Sequence, residues 1–325
     1  MAHSPQHESP GLLDHALRAR SAVPLLVLLI LLPFAALALD EGFYIGVASR
    51  ILIFALAATS LNLILGFGGM VSFGHAAFVG MGAYTVGILM QSGIASAWIA
   101  WPAALLVGGL FAFVIGLVSL RTQGVYFIMI TLAFAQMLFY LMVSLKQYGG
   151  EDGLPLATRS DPGLGLDLSD DVQFYFVVLA ICAGVFVCLA RLLNARFGHV
   201  LQAIRENETR MAALGFAVYR HKLIAFTLAG AIAGLAGALL ANQSSFVSPS
   251  LLQWSQSGIL LVMVILGGVG HLYGGLAGAA AFLLIEEIVS SYTIHWQFGL
   301  GALLLAVVLL APNGLMSLVR RRGAP

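Results

Sequence analysis

The sequence predicts an all-α, polytopic membrane protein with about ten transmembrane or partly re-entrant helices. Of its 325 residues, 60% are hydrophobic and only 9% are charged, whereas ordinary soluble proteins carry about 25% charged residues. The mean hydropathy is +0.99, and several apolar runs approach the roughly 20 helical residues that span a bilayer core of about 30 Å. The net charge of +1 gives no indication of nucleic-acid binding.

The apolar runs follow one another along most of the chain. They lie at about residues 21–39, 44–65, 75–90, 98–120, 125–143, 172–190, 223–241, 254–268, 272–291 and 298–311. Glycines interrupt them near 66–82 and 266–278, so one or two are expected to be broken or re-entrant. Residues 1–20 and 317–325 are polar tails, which leaves 21–316 as one membrane domain. The first run is longer than a usual signal core and is interpreted as a retained helix, although Ala36 to Ala38 leaves a cleaved signal peptide open.

The positive charges predict the orientation of the chain. With the N-terminus in the cytoplasm, an even number of spans returns the C-terminus there, and the cytoplasmic segments hold 12 of the 15 lysines and arginines. These are Arg18, Arg20, Arg121, Arg191, Arg196, Arg205, Arg210, Arg220, Lys222, Arg320, Arg321 and Arg322. This bias is the positive-inside pattern of inner-membrane proteins. Acidic residues collect instead in the outer loop 144–171, which is either a docking face for an extracytoplasmic partner or a solvated connection.

The residues give no reason to expect catalysis, nucleotide binding or a metal site in this chain. A P-loop ends in Lys followed by Ser or Thr, and neither of the two lysines, Lys146 and Lys222, has such a neighbour. No HExxH or GxSxG pattern is present. Cys182 and Cys188 lie on different faces of one apolar run and suggest neither a disulfide nor a metal site.

Glycines at helical spacing indicate close helix packing, because they let neighbouring backbones approach one another. The candidates for this role are Gly66, Gly68, Gly69, Gly74, Gly230, Gly234, Gly270, Gly274 and Gly278. The alternative is an unwound segment that lines a substrate path. The stretches that begin at Leu65 and Leu266 share a glycine cluster followed by a small-residue helix, which is compatible with a parallel repeat.

Polar residues inside the spans are candidates for the translocation path. They are Asn62, Ser72, His75, Gln136, Asn242 and Gln243, and each could equally satisfy a neighbouring helix. The adjacent Glu286 and Glu287 cannot share one helix face, so one is expected to find a partner while the other reaches the water interface. Arg50 is expected to extend its side chain toward the outer interface.

The central loop, residues 192–222, is the only long basic and polar stretch between strongly apolar segments. Leu201, Ile204, Glu208 and Met211 follow helical spacing, which predicts a short amphipathic helix that closes near Gly215. A helix laid in the groove of a partner can transmit motion. A solvated cytoplasmic connector is the alternative.

Five ordered blocks resemble the LivM type of permease from branched-chain amino acid ABC importers, over about residues 50–316. They are LNLILGFGGMVSFGHAAFVGMGAYTVGIL from Leu61, GVYFIMITLAFAQMLF from Gly124, AIRENETRMAALGFAVYRHKLIAF from Ala203, AGAIAGLAGALLANQSSFVSP from Ala229 and ILLVMVILGGVGHLYGGLAGAA from Ile259. The chain then closes with LLAPNGL.

The resemblance implies a non-enzymatic permease of the bacterial inner membrane that pairs with a LivH-type second permease. Two cytoplasmic ATP-binding subunits would bind ATP and Mg, and a periplasmic substrate-binding protein would deliver the solute. Branched-chain amino acids or related small solutes are the expected cargo. The alternatives are urea or amides, aromatic acids, or a stand-alone secondary transporter.

The resemblance also assigns coupling to the ATP-binding subunits to the central loop. The strict importer signature is Glu-Ala-Ala, then any three residues, then Gly. It is absent, because the positions for Glu-Ala-Ala, counted back from Gly215, hold Thr209, Arg210 and Met211. The LivM-like version is an Arg-Glu-x-Glu run ahead of Ala-Ala-Leu-Gly. It implies a coupling role for Arg205, Glu206, Glu208, Ala212, Ala213, Leu214 and Gly215.

Overall fold

The computed structural model describes residues 26–34, 42–163, 167–292, 298–299, 301 and 314–315. Its main helices are α1 at 26–34, α2 at Phe43–Asn62, α3 at His75–Gln91, α4 at Ala97–Ser119, α5 at Val125–Ser144, α6 at Asp171–Asn194, α7 at Arg196–Glu206, α8 at Glu208–Ala213, α9 at Val218–Ser244, α10 at Trp254–Gly267 and α11 at Gly274–Tyr292. A single two-stranded antiparallel ribbon within this part of the chain joins β1 at Leu154–Pro155 to β2 at Phe246–Val247. The predicted all-α membrane fold is confirmed.

Six helices in the described part of the chain are long and apolar enough to cross a membrane. They are Phe43–Phe67, Ala97–Ser119, Val125–Ser144, Asp171–Asn194, Val218–Ser244 and Gly274–Ser291. At 17 and 14 residues, α3 and α10 fall short of the roughly 20 residues that a span needs. The predicted count of about ten is therefore not confirmed. Both polar tails and nearly all of the run 298–311 lie outside the described residues, and the first run is described only as α1.

The helix breaks expected near residues 66–82 and 266–278 are observed. After α2 the chain makes a π-helical turn, Leu63–Phe67, and stays irregular until α3 begins. After α10, Gly268 and Gly270 have φ of 115° and 80°, a region that residues with a Cβ rarely adopt. These glycines end α10 and turn the chain into α11.

The two short helices start beside each other inside the domain. The backbone N–H of Ala76, in the first turn of α3, donates a hydrogen bond of 2.9 Å to Oγ of Ser257 in the first turn of α10. A 3-10 turn, Pro249–Leu252, leads into α10, and the side chain of Leu252 packs against Gly80 of α3. Both helices begin within the domain, and neither is long enough by itself to span a bilayer.

The outer loop is folded onto the ends of the helices. Its Ser160 N–H donates to Oδ1 of Asn242 at 2.6 Å, and Nε1 of Trp98 donates to the carbonyl of Pro162 at 2.7 Å. Arg159 bonds Asp171 at 2.7 Å and the carbonyl of Leu168 at 2.8 Å. The loop is therefore a structured cap rather than only a solvated connection.

Helix α9 lies at the centre of the fold and contacts α3 and α4 through glycines. A Cβ at Gly82 would lie 2.6 Å from Cα of Gly234, and a Cβ at Gly108 would lie 2.6 Å from the carbonyl oxygen of Gly230. Such distances leave no room for a methyl group. Phe226 of α9 makes edge contacts with rings on α3 and α5. The close approach of α3, α4 and α9 thus depends on the absence of side chains.

Replacing Gly108 by Ala is expected to destabilise the domain, because the new methyl group would force α4 away from α9. Overpacking of this kind costs about 1–3 kcal/mol, which should lower the thermal unfolding midpoint of the detergent-solubilised protein. Gly184→Ala is the matched control, because Gly184 lies exposed on α6 with nothing within 4 Å of its would-be Cβ. It should be neutral or slightly stabilising. Equal midpoints for the two variants would contradict the packing described here.

Candidate functional site: the coupling segment and the glycine crossing

Between α6 and α9 the chain forms two helices, α7 and α8, rather than the single short helix expected. Between α7 and α8, Asn207 has an extended backbone with φ of −156° and ψ of 99°. Its side chain accepts a hydrogen bond of 2.8 Å from the backbone N–H of Arg210, which is the usual contact of a helix N-cap. The apolar residues keep their helical spacing across the break, so the spacing does not reveal it. The available signal was Asn207, an N-cap residue type inside a polar run. We call residues 192–222, to which the resemblance assigns coupling, the coupling segment.

The second helix closes at Gly215, near the predicted position. The N–H of Gly215 donates to the carbonyl of Ala212 at 3.0 Å, and the N–H of Phe216 donates to that of Met211 at 3.2 Å. This pair of bonds is the Schellman ending of a helix, which requires a left-handed residue. Gly215 has φ of 86°, and it therefore sets the direction in which the chain leaves α8.

Two contacts fasten α7 and α8 to the start of α9. Ile204, Met211 and Val218 form a small buried apolar cluster between α7, α8 and the start of α9. The ammonium of Lys222, in α9, forms an ion pair with the carboxylate of Glu208. Glu208, a candidate for contact with an ATP-binding subunit, is thus held by its own chain.

A groove of about 430 Å³ lies between α7 and α8. Residues that line it include His199, Ala203, Glu206, Asn207, Arg210 and Leu214. Leu214, at the end of α8, is 65% exposed. Of the predicted coupling residues, all but the half-buried Glu208 are exposed.

Arg205 makes a different contact from the other exposed residues of the segment. Its Nη1 donates a hydrogen bond to the carbonyl oxygen of Gly66, in the π-helical turn after α2. Its aliphatic stem lies against Gly69, where a Cβ would meet Cγ of Arg205 at 3.0 Å. The coupling segment is therefore tied directly to the first glycine-rich stretch.

The two glycine-rich stretches that resemble each other in sequence also contact each other. A Cβ at Gly66 would lie 2.5 Å from the backbone nitrogen of Gly270. The side chain of Asn62 accepts from the N–H of Gly270 at 3.0 Å and donates to the carbonyl of His271 at 2.8 Å. We call residues 62–69 together with 268–271 the glycine crossing.

The candidate path residues near α3 are buried and bonded to neighbouring elements. Asn62 holds the glycine crossing, as described above. Oγ of Ser72 accepts from the N–H of Gly74 at 3.3 Å, and a hydrogen bond of 2.8 Å joins His75 to Ser60. These contacts organise the start of α3.

The other three path candidates lie elsewhere. Asn242 bonds the outer loop, and Nε2 of Gln243 donates to the carbonyl of Gly46 at 2.8 Å. Gln136 is half-buried on α5. The six side chains are spread through the domain rather than gathered at one place, so a path lined by them stays a prediction.

One of the two neighbouring glutamates of α11 has a partner, as expected, whereas the placement of the other at the water interface stays a prediction. Glu286 pairs with Arg50 of α2 at 3.4 Å, while Glu287 is half-buried beside it. Arg50 therefore turns toward α11, not simply along its own helix to the interface, and its guanidinium also lies 5.7 Å from the ring centre of Phe54.

The family described as "Branched-chain amino acid transport system / permease component" matches residues 43–311. The chain belongs to this family. It is 29% identical over 322 residues to the high-affinity branched-chain amino acid transport system permease protein LivM of Escherichia coli (strain K12), covering 92% of this chain and 75% of that one. No solved structure matches.

Two further relatives are also named as permeases of branched-chain amino acid transport. A probable LivM permease of Methanocaldococcus jannaschii is 24% identical over 287 residues, covering 77% of this chain and 82% of the relative. A LivH permease of Salmonella typhimurium is 23% identical over 281 residues, covering 81% and 91%. The resemblance inferred from the sequence blocks is thus confirmed, and this family member is a permease component of multi-pass membrane type.

Gly215→Ala is expected to weaken the closure of α8, because a left-handed backbone costs a residue with a Cβ about 1–2 kcal/mol. Nothing lies within 4 Å of the new methyl group, so the effect is conformational rather than steric. Amide hydrogen exchange at Ala212 to Phe216 should become roughly tenfold faster.

Gly215→Asn is the matched variant, since Asn tolerates the left-handed region better than Ala. It should exchange at a rate between those of the wild type and Gly215→Ala. Wild-type exchange in both variants would show that the Schellman closure does not hold α8.

Proposed function

We propose that this permease is a subunit of an ATP-driven importer in the bacterial inner membrane and supplies half of the path for branched-chain amino acids or related small solutes. The match to the branched-chain permease family over residues 43–311 carries this proposal. The relatives whose names include branched-chain amino acid transport cover most of this chain.

The proposed partners are a LivH-type second permease, two cytoplasmic ATP-binding subunits and a periplasmic substrate-binding protein. Relatives of both LivM and LivH kinds support a pair of related permeases. ATP and Mg would be bound by the ATP-binding subunits, and this chain would supply the path and the surface on which they act.

The proposed orientation places both termini and the coupling segment in the cytoplasm and the outer loop 144–171 outside. The coupling segment and the outer loop lie at opposite ends of α6, as this orientation requires. The excess of lysine and arginine at one end indicates which end faces the cytoplasm. In the outer loop, the backbone N–H of Ser169 bonds Asp167 at 2.9 Å and lowers the pKa of that carboxyl. A charged loop of this kind suits a docking face for the binding protein.

The groove between α7 and α8 is the proposed docking site for an ATP-binding subunit. It combines an exposed leucine with charges of both signs, Glu206 and Arg210. Apolar anchors surrounded by polar residues are typical of protein interfaces. The ion pair of Lys222 with Glu208 and the apolar cluster would carry a displacement of α8 into α9.

Transport would then follow alternating access. ATP binding and hydrolysis in the partner subunits would move the coupling segment, and the two permeases would rock to open the path first to one side and then to the other. A ligand can shift such an equilibrium only through contacts that differ between the two states. The docking groove and the contacts of Arg205 are the candidates for such differences.

Vesicles that hold this permease with its partner subunits should take up radiolabelled leucine only when ATP and the binding protein are both supplied. Urea is included as a competitor, and vesicles without ATP are the control. Uptake of urea alone would keep the ATP-driven mechanism and change the cargo. Uptake by this chain without partners would overturn the proposal in favour of a secondary transporter.

Leu214→Asp is expected to reduce the amount of ATP-binding subunit that co-purifies with the permease. Loss of one well-buried interface anchor costs about 2 kcal/mol or more, so binding should weaken at least roughly tenfold. The matched control is Gln123→Asp, which adds the same charge to the exposed turn between α4 and α5. Tyr219, which donates to the carbonyl of Leu117 at 2.9 Å, places that turn at the same end of the domain. Equal recovery with both variants would exclude this groove as the docking site.

A further inference from the structure

We propose that Arg205 is a positioning residue that links the coupling segment to the glycine crossing, and that this crossing is the cytoplasmic closure of the translocation path. This inference rests on the proposed function, because it assigns the step that follows docking of an ATP-binding subunit. It is carried by the contacts that Arg205 makes away from the docking groove.

Helix α7 presents different residues to the docking groove and to the membrane domain. Ala203 and Glu206 line the groove, whereas Arg205 sends its guanidinium to the carbonyl of Gly66. Successive residues on a helix point about 100° apart, so one short helix can hold both contacts. A displacement of α7 by a partner seated in the groove is thus transmitted to Gly66 without any intervening residue.

The acceptor of this hydrogen bond lies where a cation is useful. Gly66 belongs to the π-helical turn that ends α2, and carbonyls at a helix C-terminus lack partners within the helix. They carry the negative end of the helix dipole, which favours a positive charge. Arg205 therefore stabilises the position of this turn as long as α7 stays in place.

The guanidinium of Arg205 lies beside both glycine-rich stretches. A Cβ at Gly270 would lie 3.1 Å from its Nη1, and Gly69, on the other stretch, contacts its stem. Gly69 and Gly270 have φ of 68° and 80°, conformations that favour glycine. Arg205 thus contacts the crossing from the side of the coupling segment.

The two stretches touch through backbone atoms and are held across the crossing by the side chain of Asn62. Its two hydrogen bonds reach Gly270 and His271, and no interlocked side chain lies between Gly66 and Gly270. Leu63, Ile64 and Phe67 of the first stretch are core residues, so a shift at the crossing also moves the end of α2. The ends of α2 and α10 meet here beside α7, and Gly69 and Val269 are exposed, which puts the crossing at the cytoplasmic end of the domain in the proposed orientation.

The opening step follows from these contacts. When the partner subunit displaces α7, Arg205 pulls on or releases the carbonyl of Gly66, and the turn after α2 shifts relative to Gly270. The bonds of Asn62 then break, and the two glycine-rich stretches separate. Arg205 would transmit the motion and contact neither ATP nor the solute in the closed state.

The test uses the complete transporter in proteoliposomes, with Arg205→Gln in this chain. We expect the ATP-binding subunits to co-purify as in the wild type and ATP hydrolysis to continue. The number of ATP molecules hydrolysed per leucine taken up should rise at least about fivefold, the lower end of typical coupling between sites. Arg205→Lys keeps a positive donor and should restore part of the coupling.

Arg196→Gln is the matched control, because it removes the same charge from the same helix. Arg196 is exposed at the start of α7 and is outside the docking groove and the crossing as defined here. A wild-type ratio is expected for it. If Arg205→Gln lowers the yield of the permease itself, Arg205→Lys is used in its place, and the number of ATP molecules hydrolysed per leucine taken up is compared with that of the wild type.

Three results would overturn the proposal. The first is a wild-type ratio in Arg205→Gln, and the second is an equal defect in Arg205→Lys or Arg196→Gln. The third is loss of the ATP-binding subunits from an otherwise intact Arg205→Gln permease, which would make Arg205 a docking contact. Failure of the proposed function is distinguishable, because it appears in the wild-type arm as the absence of ATP-dependent uptake.

Discussion

Direct contact between backbones, made possible by glycine, is the constraint on which this domain depends. At the centre, α3 and α4 approach α9 so closely at Gly82 and Gly108 that a single methyl group would collide with the facing backbone. At the glycine crossing the same principle joins two irregular stretches, with Gly66 against Gly270. In a membrane, where apolar side chains gain little by leaving lipid for protein, such close approach is a main source of helix association.

The two uses of glycine have different mechanical consequences. Helices that meet over many residues, such as α4 and α9, behave as one body, because every contact along their length must shift if one of them moves. The glycine crossing joins irregular backbone and is bridged by the two hydrogen bonds of Asn62, and it continues into the close packing of Gly275 on Thr59. A shift at the crossing would therefore break few hydrogen bonds, although it would move the core residues Leu63, Ile64 and Phe67 at the end of α2.

The coupling segment shows how far a local pattern can be interpreted. Its apolar spacing and its terminal glycine placed the segment and its end near Gly215, because helix periodicity and the Schellman ending are properties of neighbouring residues. The break at Asn207 was missed, since the apolar spacing continues across it. The pairing of Glu208 with Lys222 joins α8 to the next helix, and a residue proposed for partner contact is therefore occupied within its own chain.

The sequence by itself determined the membrane class, the helical fold, the positions of the glycine breaks and the resemblance to the permease family. These features follow from composition, periodicity and short ordered motifs, which are local. The tertiary structure alone decided that Arg205 reaches Gly66, 139 positions earlier in the chain, and that Asn62 reaches Gly270, 208 positions later. No periodicity relates residues so far apart. Their contact depends on how the ends of α2, α7 and α10 are brought together, and that is set by the packing of the whole domain.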